Sequence, residues 1–273
     1  MSKRESGSTL VFAGSLLLGV AIFALVMVVM GTRLDKDVSP EPASEQENER
    51  QEIAALAQVI SDDAELGDYG QAWLDALGGV WVPWPDGAPE GYTNPPTPVP
   101  AATDAPAALD QLASTALNSD LGSTVTSMGV AALTLNAHDV AGCGEYDMAA
   151  LGTMTATGTA VERIETARQW LELDAARTPE GERENDVARI ELLSDLIDAQ
   201  LAAGAPDKRP AIITEPEPDT HVTAAYDTVV TELLSHARTA QPTDVHNAAS
   251  FICHLYKIPG APAISPLPGL AVD

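Results

Sequence analysis

Between Thr9 and Gly31 lie 23 consecutive residues without a charged side chain, and no later part of the chain repeats such a run. As a helix rising about 1.5 Å per residue the run extends roughly 35 Å, enough to cross the roughly 30 Å hydrocarbon layer with some tilt. A helix of a soluble domain carries a polar face, and this run offers no charged one. The pattern predicts a single transmembrane helix over 9–31, in contact with the lipid bilayer, preceded by a short N-terminus over 1–8. Within it Ser15 and Gly19 form a small-x-x-x-small step that permits close approach of another membrane helix.

After this run the apolar positions recur at helical spacing. A polar, acidic stretch over 32–50, with Pro40 and Pro42, has the composition of a solvated tether. Ile53, Leu56, Ala57 and Ile60 then share one helix face, and Trp73, Leu74 and Leu77 mark a second helix that Gly78-Gly79 stops. From Trp81 to Pro106 proline is too dense for regular helix or central strand, which predicts an extended strap. Beyond it Leu109, Leu112 and Ala116 form one stripe, and Val125, Met128, Ala132 and Leu135 another. Thr159 with Glu162 reads as a capping box ahead of Val161, Ile164, Leu171 and Ala175. Thr178-Pro179 reads as the start of the next helix, whose stripe runs Val187, Ile190, Leu193, Leu196, Ile197 and Leu201 to a stop at Gly204, so that the two make a hairpin. A helix capped by Asp219 or Thr220 carries Val222, Ala225, Tyr226, Val229 and Leu233. The last runs from Thr243 to Lys257 with Val245, Ala248, Ala249, Ile252 and Tyr256 inward. Nothing alternates with period two. The fold class expected is all-α: an anchor, a helical bundle domain over 51–258, Pro-rich straps, and a Pro-rich tail over 259–273.

Charge sharpens the placement. Lys3 and Arg4 precede the apolar run, while Arg33 and Lys36 follow it among Asp35 and Asp37, so flanking charge alone does not orient it. The run has no Ala-x-Ala cleavage site and no cysteine at its end to take a lipid, which predicts an uncleaved signal anchor with a cytoplasmic N-terminus and an extracytoplasmic body. From Asp37 onward 38 acidic residues face 10 basic ones. Such a body repels phosphates, which argues against nucleic acid as a partner. Cys143 and Cys253, an even pair in an exported domain, read as one disulfide. It closes a loop of about 110 residues, worth up to ~4 to 5 kcal/mol in the loop-entropy account.

The search for chemistry removes the easily read enzymes. There is no Glu-x-x-His for a di-metal carboxylate site, no His-Glu-x-x-His, no phosphate-binding Gly-rich loop and no Gly-x-Ser-x-Gly elbow. Glu232 and His236 sit four apart on one helix face, a spacing that suits a surface pair. If the cysteines meet, His138, Asp139 and Glu145 come near His246 and His254; their number and spacing do not resemble a closed zinc site. No metal and no cofactor are expected. Aromatics are scarce, yet Trp73, Trp81 and Trp84 cluster just before the long strap, where they either pin it to the helices or meet a partner. The expected function is a non-catalytic accessory or scaffold subunit docking an acidic helical domain on the outer face of a bacterial membrane protein complex, such as a respiratory or cell-envelope assembly. The alternative is a cell-wall-associated enzyme or carbohydrate-binding protein with its site near the Trp cluster.

Overall fold

Ser44 opens the first helix of the body: its hydroxyl accepts from the Glu47 N–H at 3.1 Å, and Glu45 and Glu47 sit in the first turn, where carboxylates favour the positive end of the helix dipole. The computed structural model describes residues 20, 22–23, 25–26, 43–82, 84, 88, 92–94, 99–239 and 241–270. Among them are nine helices of the body and no strand: α1 Glu45–Ser61, α2 Gly67–Leu77, α3 Ala105–Leu117, α4 Ser123–Asn136, α5 Met148–Met154, α6 Gly158–Ala175, α7 Glu184–Ala202, α8 His221–Ala237 and α9 Pro242–Tyr256. The all-helical class is therefore observed. α1 reaches six residues into the stretch read as tether, because Arg50 is not solvated. Its guanidinium is held by Glu47 and donates to the carbonyls of Leu77 and Gly79, at 2.6 and 2.9 Å, tying α1 to the end of α2.

The anchor expected over 9–31 lies outside the described residues except at five positions. Val20, Ile22, Phe23, Leu25 and Val26 are helical and between 43 % and 66 % exposed. Among the described residues no helix is long and apolar enough to cross a membrane. Residues 1–42 form one unit and 43–273 another. Ser15 and Gly19 lie outside the described residues.

The body packs around two apolar cores. α1 and α2 form one hairpin, α3 and α4 a second, and Ile53, Leu56, Ile60, Trp73, Leu112 and Met128 are buried between them. Gly70 makes the first hairpin possible, since a Cβ there would stand 2.3 Å from the Ser61 backbone nitrogen. The second core gathers α5 to α9 around Ile164, Leu171, Leu193, Val229 and Phe251, with α6 packed on both α7 and α8. Leu133 of α4 and Tyr256 of α9 touch both cores, so these two helices join them.

Two helix starts differ from the sequence reading, and each shift has a local cause. Thr157, not Thr159, caps α6, accepting from Ala160 N–H at 3.1 Å. Thr178 does not open α7; its hydroxyl donates back to Asp174 O, and Arg183 caps the same region by donating to Ala175 O and Thr178 O. Pro179 is extended, a short 3-10 turn covers Glu180–Glu182, and α7 begins at Glu184. Val187 consequently faces solvent, whereas Leu193, Leu196 and Ile197 are buried as expected. Gln241 and Asp244 form a reciprocal capping box on α9.

The tail expected over 259–273 is part of the body as far as it is described. Arg189 of α7, paired with Asp186 on its own helix and donating to the Tyr226 hydroxyl of α8, also donates to Pro259 O at the start of the tail. Further along, Ile264 is buried in the N-terminal core and Leu267 packs against it. The bundle and its C-terminal strap are one structure.

Candidate functional site

Cys143 ends a 3-10 turn that Asp139 caps, and Cys253 lies on the buried face of α9. They meet as one bridge, Cα–Cα 5.5 Å, across 110 residues. The bridge draws His254 to the Gly144 carbonyl, to which its Nε2 donates at 2.8 Å, and sets the ring edge-on to Tyr146 at 4.8 Å. His246 is held apart by a bond to Pro242 O within its own helix. Among the described residues no group of three His, Cys, Asp or Glu side chains is placed to hold a metal. Both sulfurs are buried, so the pair is a bolt between α9 and the loop after α4.

Glu232 and His236 do share a face of α8, with His236 Nε2 donating to Glu232 Oε1 at 3.1 Å. The other carboxylate oxygen of this buried Glu232 accepts from Arg163 of α6, also at 3.1 Å. Above this bridge α6 and α8 leave a groove of about 400 Å³, lined by Glu162, Arg163, Trp170, Asp227 and Thr231. Burial pushes the Asp227 carboxyl above its ordinary range. Trp170 is fixed by donation to Thr214 O at 3.0 Å. This fourth tryptophan carries no signal in the sequence that separates it from a core residue of its helix. Farther along α6, Glu165 is held below the usual carboxylate range: burial pushes it up, and hydrogen bonds from Arg168 and Gln169 with the Arg168 charge outweigh that.

The tryptophan cluster divides into two sites. Trp73 is fully buried on α2, and its indole N–H donates to Pro266 O of the tail at 2.7 Å. One turn earlier Tyr69 stacks obliquely on it, centroids 6.1 Å apart, and donates to Ile264 O at 2.7 Å. Burial raises the Tyr69 hydroxyl above its ordinary value. On α4, Ser127 donates to Pro268 O at 2.7 Å and accepts from Arg238 at 3.1 Å. Trp73 thus anchors a strap, but the C-terminal one.

Trp81 and Trp84 are half-buried, and neither belongs to either core among the described residues. Trp84 closes on its own segment. Asn94 grips its backbone twice, the Asn94 side-chain carbonyl accepting from Trp84 N–H at 3.1 Å and its amide donating to Trp84 O at 3.0 Å. Tyr92 lies against the indole with centroids 5.9 Å apart and is 43 % exposed. Trp73 is thus the member of the cluster that holds the tail, while Trp84, Tyr92 and Asn94 make an aromatic clip of their own. Asn94 had a legible signal, the turn-forming Asn-Pro pair it makes with Pro95. No known protein family, curated protein or solved structure matches this chain.

Proposed function

We propose that the protein is a membrane-anchored accessory subunit, and that its body docks on the outer face of a membrane protein complex without carrying out chemistry. The observation that carries this reading is the clip. An indole and a phenol lie against one another, centroids 5.9 Å apart, where Asn94 grips the Trp84 backbone, in a segment whose Val99 is 89 % exposed. Rigid aromatic pairs that lose little freedom on contact are the usual anchors of interfaces. The apolar run over 9–31 supports attachment to the bilayer, and the exposed helical Val20, Phe23 and Leu25 fall within it. The excess of acidic residues favours a basic or cation-rich docking surface over an anionic one.

The reading is tested on the full chain in its native membrane, solubilised in mild detergent. The chain should migrate in an assembly well above its own 28.5 kDa, with fixed stoichiometry, and Trp84→Ala should release it from that assembly. A wild-type chain that runs alone in every mild detergent, or a variant that stays fully associated, would sink the proposal.

A further inference from the structure

One short pattern occurs twice in the chain: a hydroxyl residue, proline, an aliphatic residue, proline. It reads Ser265-Pro266-Leu267-Pro268 in the tail and Thr97-Pro98-Val99-Pro100 between α2 and α3. The tail copy is seated. Tyr69 and Trp73 donate to the carbonyls of Ile264 and Pro266, and Ser127 donates to that of Pro268, each at 2.7 Å. Three side chains from two helices thus take every second carbonyl of one segment, while Leu267 packs into the N-terminal core beside buried Ile264. A Pro-rich segment has few N–H groups to offer, so its carbonyls and side chains are what a binding surface can hold. Aromatic-lined grooves recognise such peptides in this manner. The other copy is presented differently: Val99, the counterpart of Leu267, is 89 % exposed and so turned away from its own body.

We propose that the Tyr69–Trp73–Ser127 groove is a binding site for Ser/Thr-Pro-aliphatic-Pro segments, filled in cis by the tail, and that a lifted tail lets it take residues 97–100 of a second copy of this chain. The tail competes with the advantage of its covalent connection, an effective concentration on the order of millimolar, so the cis state prevails in dilute protein. The proposal stands independently of the docking reading above, since its partner is another copy rather than a membrane complex.

The test uses the full chain in mild detergent, with Leu267→Asp to lift the tail and light scattering to measure mass as the protein is diluted. The variant should form a dimer that wild type lacks and that dissociates on dilution. Adding Val99→Asp to it should abolish that dimer, and a synthetic peptide of residues 93–104 should dissolve it where a scrambled peptide does not. A variant that keeps its helical circular dichroism and stays monomeric, or a dimer indifferent to Val99→Asp, overturns the proposal. Should Leu267→Asp fail to fold, wild type decides. Excess 93–104 peptide should speed hydrogen exchange at the Leu267 and Leu270 amides about tenfold by populating the open groove, and no acceleration over the scrambled peptide overturns it.

Discussion

Two of the chain's proline-rich segments, one between α2 and α3 and one after α9, differ in how they are held. The C-terminal segment is taken into the body: Ile264 joins the N-terminal core, and Tyr69, Trp73 and Ser127 satisfy its carbonyls. The segment after α2 closes on itself through Trp84, Tyr92 and Asn94 and leaves Val99 to solvent. Composition does not separate them. The tail is held because α2 and α4 present donors at the spacing of its carbonyls. Proline removes the N–H and with it the regular ladder, so an extended segment becomes part of a fold only where side chains supply the bonds that secondary structure cannot.

The comparison breaks most directly at Trp73. Trp73→Ala removes a fully buried indole and orphans the Pro266 carbonyl, so it should destabilise the body by about 3 to 5 kcal/mol. Urea unfolding followed by circular dichroism measures this, and a loss below about 1 kcal/mol would mean that the tail is not integral. Ile264→Ala tests the same seat from the tail's side. It should cost roughly 2 to 4 kcal/mol as a buried aliphatic truncation, while hydrogen exchange rises in the tail before it rises in α5 to α9.

Most of the bundle was legible because helices advertise themselves by period. Ile53, Leu56, Ala57 and Ile60, or Leu109, Leu112 and Ala116, face inward as their spacing requires. Helix starts were less legible, since a threonine hydroxyl has several possible acceptors. Thr178 is spent on closing α6, and only the position of Asp174 O shows it. The cysteine pairing was legible from the count, since the chain has two cysteines and they meet as one bridge. The site was half legible. A tryptophan cluster beside a proline-rich strap reads as a strap anchor or a partner contact, and the strap that Trp73 holds is a different one, 193 residues away in sequence. That choice depends on the tail reaching both α2 and α4, a tertiary fact that local pattern does not contain.

Tyr69 gives the comparison a dependence on pH. Its hydroxyl donates to the tail, and burial raises its pKa above the ordinary 10.0. A group raised in the folded state contributes stability that is fully present below its unfolded value and is lost as pH rises through the folded one. Burial raises Tyr146, Tyr226 and Tyr256 in the same direction. Thermal stability should therefore fall above about pH 10, and Tyr69→Phe should make that alkaline limb shallower. At neutral pH the variant loses one hydrogen bond and leaves the Ile264 carbonyl unpaired, about 1 kcal/mol. An alkaline limb of unchanged slope would show that the Tyr69 hydroxyl does not hold the tail.

The smallest expected effect on folding belongs to Trp84. Trp84 is half-buried, belongs to neither core, and bonds to Asn94 through its backbone, which a side-chain truncation leaves in place. Trp84→Ala should then cost no more than about 1 kcal/mol, the range of a substitution that opens no core cavity. Trp73→Ala measured alongside calibrates the scale within the same protein. If Trp84→Ala instead approaches the cost at Trp73, the segment between α2 and α3 is packed as firmly as the tail and the clip is a structural rivet. If the body keeps its melting temperature and the membrane assembly loses the subunit, the indole works at an interface, and the two proline-rich segments divide the labour of the chain between holding the fold and presenting it.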